Sequence, residues 1–202
     1  MNRLVNGYKQ FRKRVYPEHV KLFEDLRSGQ APETLIISCS DSRVDLNWVI
    51  QAKPGEVFHV RNAGNLVPRA NQQENSVGGA LEFAVSSLPI QDIVVCGHSD
   101  CGAMKGLRSG VSDSDDSPVA RWLRLAAEQV PDAATVDLNT LIRSNVRLQL
   151  DNLLSHDFVA ARVKKQELRL WGWVYDIGSS EILQLHQPTG ELRALDSLEP
   201  SA

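Results

Sequence analysis

Two short polar segments of the sequence carry side chains that could perform chemistry. Residues 39–43 read Cys-Ser-Asp-Ser-Arg, and residues 98–101 read His-Ser-Asp-Cys. Two thiols and one imidazole form an incomplete tetrahedral ligand set for Zn²⁺, and three protein ligands with one open position are typical of a catalytic zinc site. The two segments therefore predict a catalytic zinc centre with the ligands Cys39, His98 and Cys101.

The spacing of the three candidate ligands indicates how they would be held. His98 and Cys101 lie three residues apart at a predicted strand-to-helix turn, which lets both side chains reach one ion. Cys39 comes from a different strand end, so the fold rather than a local loop must bring it to the site. The third thiol, Cys96, lies inside an apolar run and is interpreted as a small buried hydrophobic residue. His59, beside another strand end, is interpreted as structural or solvent-facing.

Two other thiol chemistries compete with the zinc interpretation. A redox pair is typical of a Cys-x-x-Cys motif, which the sequence lacks. A nucleophilic pair, with Cys39 attacking and His98 as its base, is an open alternative, but it leaves Cys101 without a role.

The carboxylate of Asp41 and the guanidinium of Arg43 lie next to the first candidate ligand. Asp41 could accept a hydrogen bond from a zinc-bound hydroxide, or it could bind the metal itself and close the site. Arg43 could hold this carboxylate in a bidentate pair and so bias the choice. The simpler alternative is a surface salt bridge without a role in chemistry.

Strands and helices alternate along the chain, and each polar segment follows a short apolar run. The predicted buried strands cover residues 34–38, 57–61 and 92–96, the helices cover residues 44–51, 77–88, 101–107, 119–130, 138–155 and 159–165, and a C-terminal hairpin covers residues 168–175 and 182–185. This order predicts an α/β fold with a central, mainly parallel β-sheet flanked by helices. In such sheets ligands bind at the carboxyl ends of the strands. The candidate residues all fall at that edge.

Residues 1–29 are predicted to form an N-terminal helical arm that precedes the first strand. Apolar residues recur at helical spacing, and Pro17 predicts a corner near Tyr16. The arm could pack on its own core or be swapped onto a second subunit. We predict one domain over residues 1–202.

The bulk composition narrows the classes of function and the compartment. The net charge is −3, from 22 Lys and Arg against 25 Asp and Glu, which gives no reason to expect nucleic acid or an anionic membrane as a partner. No apolar run approaches the roughly 18 residues of a membrane span. The N-terminus lacks the apolar stretch of a signal peptide, and three cysteines do not make a disulfide framework, so a cytoplasmic protein is expected.

With these residues assembled, the chain resembles the β-class carbonic anhydrases over nearly its whole length. The resemblance rests on residues 39–43, on residues 61–65 (Arg-Asn-Ala-Gly-Asn) and on residues 97–104 (Gly-His-Ser-Asp-Cys-Gly-Ala-Met). It looks closest to the bacterial cyanate-operon and cyanobacterial branch, which shares the plant-like open site. The resemblance implies the β-carbonic anhydrase fold, with N-terminal helices exchanged in a homodimer that often assembles into tetramers or octamers.

The resemblance also implies an activity and roles for individual residues. The activity is that of a lyase, carbonate dehydratase, in which zinc-bound hydroxide attacks carbon dioxide to give bicarbonate and a proton, reversibly. The implied zinc ligands are Cys39, His98 and Cys101, and the implied catalytic dyad is Asp41 with Arg43, Asp41 being a possible fourth ligand in a closed state. The implied substrate-binding residues are Gln30, Phe58, Ala63, Phe83 and Gly102.

Four positions depart from the patterns of the family or of its subclasses, and one of them is Ser76, which stands where relatives often have glycine. Phe83 stands where relatives commonly have tyrosine, and Ser87 stands where plant members have histidine, so two candidate proton-transfer groups are lost. Ile36 stands where the bicarbonate-inhibited subclass has tryptophan, so that allosteric site is not expected.

Two functions are alternatives to carbon dioxide hydration. They are a hydrolase of carbonyl sulfide or carbon disulfide with the same fold, and a non-catalytic bicarbonate-sensing or carboxysome-associated member. The sequence shows no long C-terminal extension of the kind found in members recruited to the carboxysome shell, so a carboxysome location is not indicated.

Overall fold

A computed structural model describes residues 1–72, 75–110, 115–130, 132–186 and 189–198. The contacts within the chain divide it into two units, Met1–Ala31 and Pro32–Ala202. The boundary falls two residues beyond the predicted end of the N-terminal arm. Residues 111–114, in the acidic, serine-rich stretch at residues 109–118 for which the sequence predicts a loop, lie outside the described residues.

The first unit is helical and turns a corner at the predicted place. Helix α1 covers Asn2–Gln10, a π-helical turn covers Phe11–Val15, a 3-10 turn covers Tyr16–Glu18, and helix α2 covers Val20–Leu26. Pro17 lies in the 3-10 turn, since proline has no amide hydrogen and its ring clashes with the preceding helical turn. The Phe23 ring packs against the rings of Phe11 and Tyr16, with centroid distances of 5.8 and 5.5 Å. This aromatic contact fixes the corner.

Helix α1 presents large apolar side chains on its surface. No α1 residue is buried against any part of the chain that the structure describes, and Leu4 and Tyr8 are 72% and 64% exposed. Leu4 and Tyr8 are four residues apart and so share one face of the helix. Exchange of this arm between subunits stays a prediction.

The described part of the second unit contains one six-stranded sheet with the strand order β2-β1-β3-β4-β5-β6. The strands cover Thr34–Cys39 (β1), Val57–Asn62 (β2), Asp92–His98 (β3), Arg169–Tyr175 (β4), Ile182–Leu185 (β5) and Leu192–Ala194 (β6). The first four are parallel, and β5 and β6 are antiparallel. The predicted α/β class, the mainly parallel sheet and the C-terminal hairpin are confirmed. Strand β6 was not predicted, because three residues are too few to show a pattern.

The central strands are apolar because helices cover both faces of the sheet. Leu35, Ile36 and Ile37 of β1 are fully buried, as are Ile93 and Val95 of β3. Continuous apolar runs of this kind are typical of parallel strands, whereas a sheet with one wet face would show alternation. Strand β1 pairs with β2 on one side and β3 on the other, so the carboxyl ends of three strands meet at one edge.

Four of the six α-helices described in the second unit begin after a residue whose side chain caps them. Helices α3 to α8 cover Leu46–Ile50, Ser76–Ser87, Gly102–Arg108, Pro118–Ala127, Leu138–Leu153 and Asp157–Lys164, and a 3-10 turn covers Leu195–Ser197. The four capped helices are α3, α4, α6 and α7. The side chains of Asn75 and Asp137 accept hydrogen bonds from the backbone N–H groups of Gly78 and Thr140, at 2.9 and 3.0 Å. Such caps satisfy amides that the first helical turn leaves unpaired. Among the described residues, no helix combines the length and apolar character that a membrane crossing requires.

Two glycines let helix α7 lie close to the sheet. A Cβ atom at Gly97 would lie 2.8 Å from Cγ2 of Val146, and one at Gly172 would lie 2.9 Å from Cγ1 of Val146 and 3.0 Å from Cδ1 of Leu150. Since real Cβ atoms do not approach so closely, any other residue would push α7 away from β3 and β4. Helix α7 supplies part of the support of the site described below.

The contact between Gly172 and α7 predicts a measurable loss of stability. Gly172→Ala should lower the free energy of unfolding by about 1–3 kcal/mol, because the added methyl group overpacks the interface. Gly79→Ala is the matched control, since no described heavy atom beyond its neighbours and its own helix would lie within 4 Å of that Cβ. Urea unfolding measures both variants. Equal unfolding midpoints for Gly172→Ala and the wild type would contradict this account of the packing.

Candidate metal centre

Three buried side chains meet at the carboxyl edge of the sheet. Cys39 ends β1, His98 ends β3, and Cys101 immediately precedes the first residue of α5. Their possible ligand atoms all lie within 4.8 Å of one another. The parallel pairing of β1 with β3 brings the first two together, because Ser38 lies opposite Cys96 in the register.

The His98 ring is held with one nitrogen left for a metal. Its Nδ1 lies 2.9 Å from the carbonyl oxygen of Ser99, so Nδ1 carries the hydrogen and donates it. Its Nε2 is buried and has no hydrogen-bond partner among the described residues. A buried polar atom without a partner costs about 1–3 kcal/mol, so such atoms are uncommon unless something binds them. An Nδ1–H bond to a carbonyl is also the usual support of a histidine that ligates a metal.

The two thiols of the cluster share a hydrogen bond, and this splits their proton affinities. The hydrogen bond from Cys101 lowers the pKa of Cys39 to about 4, with further help from the backbone N–H of Gly64. The same hydrogen bond, together with burial, raises the pKa of Cys101. The pair therefore gives up its first proton more readily than an isolated thiol does, and a bound cation would displace the remaining proton.

Cys96 differs from the other two cysteines. It is fully buried, its thiol donates to the carbonyl oxygen of Gly97 at 3.3 Å, and burial raises its pKa to about 12. The thiol therefore stays neutral at physiological pH, as expected of a small buried hydrophobic residue.

Asp41 and Arg43 form the bidentate pair that the sequence suggested. Arg43 Nη2 donates to Asp41 Oδ2 at 2.7 Å, Arg43 Nε donates to Oδ1 at 3.0 Å, and the Arg43 backbone N–H donates to Oδ1 at 2.9 Å. These hydrogen bonds hold the pKa of Asp41 well below its usual range. The carboxylate is therefore charged at every pH of interest, and its orientation is fixed.

Asp100 fixes the other side of the guanidinium, a contact that the sequence did not predict. Arg43 Nη1 donates to Asp100 Oδ2 at 3.0 Å, and Lys105 pairs with the remaining carboxylate oxygen. Asp100 has a φ of 61°, in the left-handed region that few residues other than glycine adopt. Its position next to Cys101 was the available signal, since a carboxylate beside a metal ligand usually has a partner.

Arg61 ties down the loop that follows Cys39. Its Nε donates to the Cys39 carbonyl oxygen at 3.1 Å, and its Nη2 donates to the carbonyl oxygens of Asp41 and Val44 at 2.9 and 2.7 Å. A planar guanidinium can satisfy several carbonyls at once, which a lysine cannot do. The segment of residues 61–65 therefore positions the segment of residues 39–43, although the sequence only placed both at strand ends.

The loop after β2 delivers a backbone donor to the cluster. The N–H of Gly64 donates to Cys39 Sγ at 3.4 Å. Gly64 has a φ of +81°, and a Cβ atom there would lie 3.0 Å from Cβ of Ala103. Glycine is therefore required here, both for the backbone conformation and for the close approach. The Asn62 side chain closes the loop through hydrogen bonds of 2.9 and 2.7 Å with the backbone of Leu66.

The residues predicted to bind substrate fall into three places. Ala63 and Gly102 line one cavity of about 340 Å³. Phe58 of β2 and Phe83 of α4 are in ring contact, with centroids 6.0 Å apart, and Phe83 is 49% exposed. Gln30 is an exposed residue of the first unit. These substrate roles stay predictions.

His59 is half-buried, as expected of a structural side chain. Its Nε2 lies 2.7 Å from Oδ1 of Asn47. Burial lowers its pKa, so the ring is neutral near pH 7.

The sequence and the fold are both similar to those of known proteins. A family model described as carbonic anhydrase matches residues 34–182. The carbonic anhydrase of Synechococcus elongatus is 38% identical over 205 residues, which cover 97% of this chain and 75% of the relative. The carbonic anhydrase of Pseudomonas aeruginosa is 42% identical over 191 residues, which cover 90% of this chain and 86% of the relative.

Two solved structures extend the similarity to three dimensions. The β-carbonic anhydrase CcaA superposes with a TM-score of 0.90 at 35% identity, covering 96% of this chain and 98% of its own. A tetrameric β-carbonic anhydrase of Sordaria macrospora gives a TM-score of 0.69 at 30% identity, with 92% and 93% covered. Since the family model covers most of the chain and the fold is shared throughout, the chain belongs to the carbonic anhydrase family, in its β-class.

Proposed function

We propose that this protein binds Zn²⁺ and catalyses the reversible hydration of carbon dioxide to bicarbonate and a proton. The observation that carries the proposal is the buried cluster of Cys39, His98 and Cys101, in which His98 Nε2 has no partner among the described residues. Thiolate and imidazole donors suit zinc, whereas magnesium and calcium prefer oxygen donors. The proposed reaction is that of the carbonic anhydrase family, to which the chain belongs.

The donor set fits a catalytic rather than a structural ion. Three protein ligands leave one of four tetrahedral positions open, and the only other thiol, Cys96, is neutral and bonded elsewhere. When bound there, zinc supplies Lewis-acid chemistry to a water molecule at the open position. The protein residues must hold the ligands, orient the water and exclude competing groups.

Asp41 is proposed to orient that water as a hydrogen-bond acceptor. Its carboxylate has about four acceptor sites, and Arg43 occupies three of them. One site on Oδ2 is therefore free of Arg43. If Asp41 moved onto the metal, it would lose hydrogen bonds that Arg43 now donates, and Asp100 also holds Arg43 in place. We therefore propose that the open state, with Asp41 off the metal, is favoured.

The proposed substrate pocket is small and apolar, as carbon dioxide requires. We propose that the small side chains of Ala63 and Gly102, which line one cavity, and the rings of Phe58 and Phe83 offer apolar surface to carbon dioxide. Gln30 is proposed to donate a hydrogen bond to a substrate oxygen. Phe83 carries no titratable group, so the product proton must leave by a route that does not use this position.

The protein is proposed to act in the cytoplasm as a homodimer or a larger assembly with exchanged N-terminal arms. The exposed apolar face of α1 supports this, since such a stripe on a helix usually finds a surface to cover it. The assembly of the Sordaria macrospora relative as a tetramer also supports it.

A metal count combined with stopped-flow hydration tests the proposed activity. The purified protein should contain about one zinc per chain, and hydration of carbon dioxide should exceed the buffer background between pH 7 and 9. Zinc-loaded protein that stays at background over that range would overturn the proposal in favour of a non-catalytic bicarbonate-sensing member. Hydrolysis of carbonyl sulfide or carbon disulfide without hydration would instead assign the alternative substrate.

Removal of one ligand should remove the metal. Cys101→Ala should lose zinc on dialysis, because the two remaining ligands cannot hold the ion against water. Cys96→Ala is the matched control: it also removes a buried thiol, but this thiol lies within β3, donates to the carbonyl oxygen of Gly97 and should not matter for zinc. Metal content by mass spectrometry measures both. Zinc retained by Cys101→Ala at the control level would exclude Cys101 as a ligand.

Neutralising Asp41 should leave the metal in place but slow the reaction. Asp41→Asn should keep full zinc content and lose about 10- to 100-fold in kcat/KM, the usual effect of altering a residue behind a metal ligand. Since the pKa of Asp41 is lowered, its carboxylate is ionised throughout, and the loss should be the same from pH 6 to 9.

Asp92→Asn is the control for this variant. It breaks a comparable bidentate pair at the opposite end of β3. In this pair Arg169 Nε donates to Asp92 Oδ1 and Arg169 Nη2 donates to Asp92 Oδ2, each at 2.7 Å. Its kcat/KM should stay at the wild-type value. A rate for Asp41→Asn equal to that of this control would remove the proposed role of Asp41.

A further inference from the structure

We propose that Trp122 is a positioning residue for the metal centre, and that it acts on the Cys39 sulfur through a single peptide group. The inference rests on the proposed metal centre and adds a residue outside the three motifs. Trp122 lies on α6, which contributes none of the five residues of the ligand set and dyad. Its indole N–H and the Cys39 sulfur are at opposite ends of one hydrogen-bonded series.

The series has two hydrogen bonds. Trp122 Nε1 donates to the carbonyl oxygen of Ala63 at 2.8 Å. That carbonyl and the N–H of Gly64 belong to the same peptide group, and this N–H donates to Cys39 Sγ at 3.4 Å. A peptide group that accepts a hydrogen bond at its oxygen becomes more polarised, and its N–H becomes a stronger donor. Trp122 therefore strengthens the bond to the sulfur.

Both neighbouring carbonyls of the loop are held, so the N–H between them has a fixed direction. The Gly64 carbonyl accepts from Asn145 Nδ2 at 3.0 Å, and Asn145 is 1% exposed. Gly64 itself is confined by Ala103, since even a Cβ atom does not fit between them. The half-buried Trp122 ring packs against two apolar clusters of the second unit, which fixes the indole in turn.

The sulfur atoms of Cys39 and Cys101 face backbone N–H donors that are held in place in different ways. Cys101 faces backbone N–H groups of Ala103 and Met104, which the first turn of its own helix provides. The Gly64 donor of Cys39 belongs to a loop that follows another strand. The N–H of a loop residue keeps one direction only if neighbouring groups of the loop are held. Trp122 holds the carbonyl group of the same peptide through its hydrogen bond.

The expected consequence concerns electron donation from sulfur to the metal. An N–H···S hydrogen bond withdraws charge from the thiolate and lowers the energy of its lone pairs. Loss of the indole N–H should weaken this bond, raise the lone-pair energy, and move the thiolate-to-metal charge-transfer band to longer wavelength. The metal should also be held less tightly, because the loop no longer pre-orients the ligand.

The test uses the whole chain with Trp122→Phe, loaded with Co²⁺, whose thiolate-to-metal charge-transfer band, unlike that of zinc, can be resolved from the absorption of the protein. The band should shift to longer wavelength, and zinc affinity in a chelator competition should fall about 3- to 10-fold, at or below the low end of the range for direct outer-shell partners. Trp171→Phe is the matched control: it removes an indole N–H that donates to Asp92 Oδ1 at 2.6 Å, at the opposite end of the sheet. The control should leave the band and the affinity unchanged.

A second variant separates the hydrogen bond from the shape of the ring. Benzothienylalanine at position 122 keeps the bicyclic shape but replaces the N–H by sulfur, and it should reproduce the shift of Trp122→Phe. The inference is overturned if both position-122 variants keep the wild-type band and zinc affinity. A wild-type protein without any charge-transfer band would overturn the proposed metal centre as well, so the two failures are distinguishable.

Discussion

The site depends on one constraint above all, the parallel pairing of β1 with β3. This pairing sets the register in which Cys39 and His98 end adjacent strands at the same edge of the sheet. Both strands are buried on both faces, so a slip in register would misplace several fully buried apolar side chains at once. The hydrophobic core thus fixes the distance between two candidate ligands that lie far apart in the sequence. Cys101 then follows from the short turn into α5.

Around this frame, polar side chains hold loops whose backbone would otherwise be unpaired. Arg61 satisfies three carbonyls of the loop after Cys39. On the other side, Asn145, Gln149 and Asn152 of α7 are almost fully buried and bond to the loop of residues 64–67. Buried amide side chains are tolerated only when they are hydrogen-bonded, so these hydrogen bonds specify one arrangement of the loop. The outcome is a rigid cradle in which the candidate ligands need little rearrangement to accept a metal.

Much of the fold could be predicted from sequence because its signals are local. Apolar runs marked the buried strands, and polar residues at their ends marked the cluster of Cys39, His98 and Cys101. The contacts of Arg61 and Trp122 could not be predicted in this way, since each joins segments that only the folded chain brings together. In the sequence, helix α6 shows only an apolar stripe, and this pattern does not reveal the hydrogen bond that the indole of Trp122 makes. The candidate ligands lie in motifs whose residue types indicate their chemistry, whereas the motif of residues 61–65 does not reveal the contacts of Arg61, and Trp122 belongs to no motif.

X-ray absorption at the zinc edge of the zinc-loaded protein tests the central claim most directly, because it counts the donor atoms around the ion. The account predicts two sulfur donors at about 2.3 Å and at least one imidazole nitrogen at about 2.0–2.1 Å, with a further light donor at the open position. A first shell of nitrogen and oxygen donors alone, or one with a single sulfur, would contradict it, because Cys39 and Cys101 could not then both bind the metal.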